Sequence, residues 1–226
     1  MVGLAAAGCS KPTGEALNAE VQSMTVEDMK RESPELAGVF DADPELAESY
    51  LAALKSSFDE AKGMPDAAGV DAARSVLERA MVERLVTAPE PVLRDFPNVA
   101  AQMFAEIEAK RPALCRSMLS GQPVGDMSSV LGKRYAAVEA KAMADVLSAT
   151  PVDGASGDAA RGQQLAVELV SDIADKMDWD AATALGGTDT ADDPRFCELL
   201  RRLSERRTTL PVQDMRDLAA LDAAAQ

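Results

Sequence analysis

The sequence predicts an all-α fold, an irregular multi-helix bundle of about eight to nine amphipathic helices. Three observations carry that prediction. Apolar residues return every three or four positions through most of the chain. No stretch keeps up the two-residue alternation of a half-buried strand, and the β-branched residues that favour strands are scarce in runs.

The elements follow in chain order. Residues 10–24 read as a tether running into a weak helix, because Pro12 and Gly14 interrupt any regular start. Thr25-Val26-Glu27-Asp28 reads as an N-cap followed by acidic residues in the first turn, where they suit the helix dipole. Two similar starts come next, Ser33-Pro34-Glu35-Leu36-Ala37 and Asp43-Pro44-Glu45-Leu46-Ala47. Each sets a capping side chain before a proline at the first helical position. The second opens a helix over about 44–62, with Leu46, Tyr50, Leu54, Phe58 and Ala61 on one face, ended by Gly63 and Pro65. A segment over about 66–88 lines up Val70, Ala73, Leu77, Met81 and Leu85, and Pro89 and Pro91 should stop it.

A turn is expected at Pro97-Asn98, then a helix marked by Val99, Met103 and Ile107 with Phe104 beside them. Pro112 breaks that helix and starts a short one over about 112–120. After the loop Gly121–Gly125, a long helix over about 127–149 carries Leu131, Tyr135, Val138, Ala142 and Val146 in line. Residues 150–157 are the best linker; if the domain over 25–226 has a subdomain break, it falls there. Beyond it Leu165, Leu169, Ile173 and Met177 repeat every four residues. Asp193-Pro194 opens a helix bearing Phe196, Leu199, Leu200 and Leu203, and an alanine-rich end from Val212 to Gln226 should be weakly helical and fray.

Composition narrows the function. The chain has 226 residues and a formal net charge of −15, with 38 acidic against 23 basic side chains. Repulsion from phosphates argues against nucleic-acid binding, and the same field favours a basic protein partner. There is no histidine. That excludes Ser-His-Asp and Cys-His nucleophile systems and the usual histidine-containing zinc sites. No Gly-rich phosphate loop, nucleophile elbow or Cys-x-x-Cys is present, so neither a cofactor nor a metal is expected. No run approaches the ~18–20 apolar residues of a membrane span, so membrane attachment would be by a lipid anchor only.

The N-terminus points to such an anchor. In Leu4-Ala5-Ala6-Ala7-Gly8-Cys9-Ser10-Lys11-Pro12, a small apolar run ends in Ala-Gly-Cys and a polar, proline-bearing segment follows. Ala6-Ala7-Gly8-Cys9 resembles the lipobox of bacterial lipoproteins, where a signal peptide is cut before a cysteine that carries lipid. The resemblance implies lipidation of Cys9 and a lipid-anchored tether over 9–24. Residues 1–8 would be the remnant of a signal peptide whose charged start lies upstream. Ser10 in the sorting position implies the outer membrane, facing the periplasm. Two further cysteines, Cys115 and Cys197, have apolar neighbours in helical sequence. They are either buried free thiols or, in an oxidising envelope, a disulfide; export favours the disulfide, which would close a loop of about 80 residues and add ~4 kcal/mol of stability.

Other candidates carry less information. Asp172, Asp175, Asp178 and Asp180, followed by Asp189, Asp192 and Asp193, are dense enough for calcium. No register supplies the EF-hand glycine and glutamate, and a solvated acidic face fits better. Glu78 with Glu83, or Glu106 with Glu108, could be nominated for glycoside chemistry, which needs two carboxylates held across a cleft. Arg201, Arg202, Arg206 and Arg207 cluster near a helix C-terminus, where the dipole favours them; the alternative is a contact patch. Trp179, flanked by Asp178 and Asp180, is either a ring capping the helix end or a half-exposed partner-binding anchor.

The function expected is that of an outer-membrane lipoprotein that binds another protein and is not an enzyme. In type it is similar to immunity lipoproteins that neutralise toxins of competing bacteria, with a basic toxin or hydrolase as partner. An envelope scaffold or assembly accessory is the alternative, and a hydrolase using carboxylates alone is the third.

Overall fold

Eleven α-helices are present among the described residues of a computed structural model, which covers 14–34, 36–56, 58–59, 64–65, 67–119, 128–180 and 195–225. They are α1 (Gly14–Ser23), α2 (Val26–Glu32), α3 (Ala37–Ala42), α4 (Pro44–Ser56), α5 (Ala67–Leu85) and α6 (Glu90–Lys110). Then come α7 (Ala113–Leu119), α8 (Ser128–Ser148), α9 (Ala159–Lys176), α10 (Arg195–Arg207) and α11 (Val212–Ala224). The all-α class is as expected. Between α4 and α5, β1 (Phe58–Asp59) and β2 (Met64–Pro65) form a two-residue antiparallel pair.

Local chemistry explains the well-placed starts. Thr25 and Asp28 form a capping box: the threonine hydroxyl accepts the Asp28 N–H at 3.2 Å, and the aspartate accepts the Thr25 N–H at 3.0 Å. Asp43 opens α4 by accepting the Leu46 N–H at 3.0 Å. Asp158 opens α9 by accepting the N–H groups of Ala160 and Arg161.

Elsewhere the structure departs from the sequence reading. Ser33-Pro34 opens no helix at that proline. The Ser33 N–H ends α2 on the Met29 carbonyl at 2.8 Å, and the chain turns before α3 begins at Ala37. α4 stops at Ser56, so Phe58 leaves the helical stripe for the β pair. Pro89 and Pro91 flank a start: Pro89 is the N-cap of α6 and Pro91 lies in its first turn, where a missing N–H costs nothing. The turn expected at Pro97-Asn98 is absent. α6 runs straight through a buried Pro97, and packing along its length offsets the lost bond to the carbonyl four residues back.

α8 holds a break at Gly132, whose φ of 74° and ψ of 167° lie in a region essentially reserved for glycine. α11, expected to fray, is instead a core helix with Met215, Leu218 and Ala219 each 4% exposed or less. Leucine and methionine at three- and four-residue spacing anchored it despite the alanines around them.

Among the described residues three apolar clusters make up the core. One joins Met103, Phe104 and Ile107 of α6 to Cys115, Leu131, Tyr135, Trp179 and Phe196. A second joins Met81 and Leu85 of α5 to Leu93, Val146, Leu165, Leu169, Met215 and Leu218. The third gathers Met29, Val39, Phe40, Leu46 and Leu51 around Leu77 and Leu147. The second cluster contains residues from both sides of 150–157, so the helices before and after that segment share one core.

Arginines tie helix ends together across this core. Arg216 donates to the Val86 and Ala88 carbonyls at 3.2 and 3.0 Å, beyond the end of α5. Arg94 reaches the Thr208 and Leu210 carbonyls, between α10 and α11, at 2.5 and 3.2 Å. Arg84 joins the Leu147 carbonyl to Asp43. Each satisfies carbonyls that a helix end leaves without a partner.

Candidate functional site

Cys9 lies outside the described residues, as do Asp189, Asp192 and Asp193. Cys115 on α7 and Cys197 on α10 are brought together, with sulfurs 2.08 Å apart, Cα atoms 5.2 Å apart and no exposure of either side chain. They are at disulfide distance within the first cluster. No helix among the described residues is long and apolar enough to cross a membrane.

Trp179 is 6% exposed, which corrects the anchor reading: it is a core ring. The cause lies one residue earlier. Asp178 adopts a left-handed φ of 51°, the conformation that ends many helices, and turns the chain back. The Trp179 N–H then donates to the Ala174 carbonyl at 2.9 Å, and the indole meets Phe196 edge-on at 4.9 Å between centroids. The guanidinium of Arg195 lies 5.0 Å from the Trp179 ring, and that of Arg116 lies 4.8 Å from Phe196. Aspartate in place of the usual glycine hides this turn from a sequence reading.

The four clustered arginines are engaged within the chain. Arg201 contacts Glu205 at 2.9 Å and Glu108 of α6 at 3.3 Å. Burial pulls its guanidinium pKa down, but hydrogen bonds to Glu205 and Glu108 outweigh this and hold it above its ordinary value. Arg202 pairs with Glu198 at 2.6 Å, Arg207 with Asp222 at 2.6 Å, and Arg206 donates to the Thr209 hydroxyl at 3.0 Å. The cluster fastens α10 to α6 and α11 instead of presenting four open cations.

The nominated carboxylates are likewise distributed. Glu106 pairs with Lys110 at 2.8 Å, Glu108 faces Arg201, and Asp172 pairs with Lys176 at 2.7 Å. Among the described residues no three acidic or cysteine side chains are grouped to hold a metal ion.

A surface feature absent from the sequence reading lies between α6 and α8. The two helices run antiparallel: Lys110 donates to the Val130 carbonyl at 2.9 Å, and the Tyr135 hydroxyl to the Val99 carbonyl at 3.4 Å. Nearer the other end Leu93 and Val146 share the second cluster. Between these contacts the helices leave a shallow groove of about 170 Å³. Its floor is Val92, Phe96, Val99, Val138 and Ala142, and its rim Asp95, Asn98, Lys141 and Asp145. Val138, which the spacing placed in the core stripe of α8, is 38% exposed here. That uncovered valine is the signal a sequence reading could not see, since periodicity gives the face and not its cover.

No protein-family model, no curated protein and no solved structure matches the chain.

Proposed function

We propose that the chain is a helical binding protein of the bacterial envelope, held at the outer membrane through lipid on Cys9 and facing the periplasm. The observation that carries this reading is the Cys115–Cys197 pair. Two fully buried sulfurs at bonding distance join helices 82 residues apart in sequence, and such bridges persist in oxidising compartments. The lipobox-like Ala6-Ala7-Gly8-Cys9 supports the same compartment independently.

A protein partner is supported by charge. A net charge of −15 raises the encounter rate with basic surfaces and repels acidic ones. The absence of histidine removes the commonest nucleophilic and zinc chemistries, which leaves binding as the simplest activity. Neutralisation of a basic, envelope-directed toxin is the particular role these features suit best.

Two experiments test it. Replacing Cys9→Ser should move the protein from the membrane fraction to the soluble one; no movement removes the anchor. The oxidised Cys9→Ser chain, used as bait against secretions of competing bacteria, should retain one basic hydrolase that high salt releases. Retention of several envelope proteins instead would replace the inhibitor role with a scaffold role.

A further inference from the structure

We infer that the groove between α6 and α8 is the docking site for the partner, and that it takes an apolar side chain of a helix with a lysine or arginine beside it. This deepens the binding-protein reading above and rests on it, but not on the envelope location.

Three observations converge on this occupant. First, the floor is apolar and only partly covered, with Val138 38% exposed next to Phe96 and Val99. The other phenylalanines whose exposure is described for the bundle helices, Phe40, Phe104 and Phe196, are 1%, 8% and 0% exposed. Second, the rim is acidic and one of its charges is available. Asp145 is taken up by Lys141, whereas Asp95 makes no ion pair or side-chain hydrogen bond among the described residues. Its neighbours on the helix are otherwise engaged: Glu90 holds Arg94 at 2.8 Å, and Arg94 is spent on the Thr208 and Leu210 carbonyls. Third, the groove lies between two antiparallel helices, a setting that suits side chains spaced three and four apart on a third helix. An anchor in the floor with a cation one turn away on the partner would meet Asp95, and the overall charge of −15 would speed that encounter.

The test uses the full chain carrying Cys9→Ser and two designed helical peptides, one of leucine and lysine and one of leucine and glutamate with the same spacing. Backbone amide shifts are followed by NMR. The lysine peptide should perturb Phe96, Val99, Val138 and Ala142, and the glutamate peptide should not. Val138→Arg, at an exposed position, should weaken lysine-peptide binding about tenfold, the scale of one lost anchor. Asp95→Lys should shift the preference toward the glutamate peptide. Equal binding of both peptides, shifts centred elsewhere, or unchanged affinity in Val138→Arg would overturn the proposal. So would concentration-dependent dimerisation abolished by Val138→Arg, because the occupant would then be a second copy of this chain. Fractionation of Cys9→Ser decides the envelope reading separately, so either idea can fall while the other stands.

Discussion

At Gly162 the difference between a hydrogen and a methyl decides whether α9 and α11 can meet. A Cβ there would fall 2.1 Å from the Asp217 carbonyl oxygen, and one at Gly157 would fall 2.2 Å from that of Arg216. Both contacts are with backbone, so a side-chain rotation cannot relieve them. Asp217 locks the approach: its carboxylate, 4% exposed, accepts the Asp158 N–H and the Gln213 amide, each at 2.9 Å. Gly162→Ala should therefore destabilise by about 1–3 kcal/mol in urea unfolding. Gly38, in α3, is the internal control. A Cβ there meets only the Ala144 methyl at an ordinary 3.7 Å. Gly38→Ala should stabilise by about 0.5–1 kcal/mol, the usual gain of alanine over glycine in a helix. Equal effects of the two changes would contradict the close approach. Neither role is legible in the sequence, where Gly157 falls in the linker 150–157; the helix that crowds both glycines is more than fifty residues away.

Elements with local causes were legible, and α2 shows why. Its capping box lies within four residues, so Thr25 and Asp28 announce it directly. What the sequence hides is its tie to α3: Lys30 reaches Asp41 at 2.7 Å as well as Glu27 at 3.0 Å. These contacts set a pH window. The Thr25 hydroxyl bond, then the Thr25 N–H and Arg31, hold the Asp28 pKa below the ordinary 3.8. A depressed carboxylate pKa adds stability that is present above the unfolded value and lost as pH falls through the folded one. Lys30 is shifted the other way, raised above 10.5 by hydrogen bonds to Asp41 first and Glu27 second. Its contribution is complete below 10.5 and is lost as pH rises through the folded value. Hydrogen-exchange protection of α2 should thus hold across neutral pH and fall at both extremes. Thr25→Ala should return the Asp28 titration toward 3.8; an unchanged titration would show that the hydroxyl is not the cause. The prolines gave the opposite lesson. Pro91 and Pro97 read as punctuation because a sequence shows the missing N–H but not the surfaces that hold α6 together around it.

For the whole molecule, the helical class and most apolar stripes followed from periodicity, while the pairing of helices did not. Ala73, Leu77, Met81 and Leu85 on α5, and Leu165, Leu169 and Ile173 on α9, are buried as their spacing requires. Which helix covers each stripe depends on contacts far apart in sequence, as does the groove left beside Val138. The cysteine pair works at this scale too, linking α7 to α10 across 82 residues. If it is oxidised, non-reducing mass analysis will find the two peptides joined. Replacing both cysteines by alanine should then cost about 4 kcal/mol in the chain-entropy account. Trp179 sits in the same cluster, so its emission should be blue-shifted in the native state and move to the red in one transition on unfolding. Free thiols at both positions would remove the bridge from the account.

The burial of α11 has a consequence in time. The second cluster needs Met215, Leu218 and Ala219 beside residues as early as Met81. A ribosome delivers these groups in that order, so the second cluster cannot be completed until α11 has been made. Closure of that cluster therefore waits on contacts between residues far apart in sequence, the kind that slow folding.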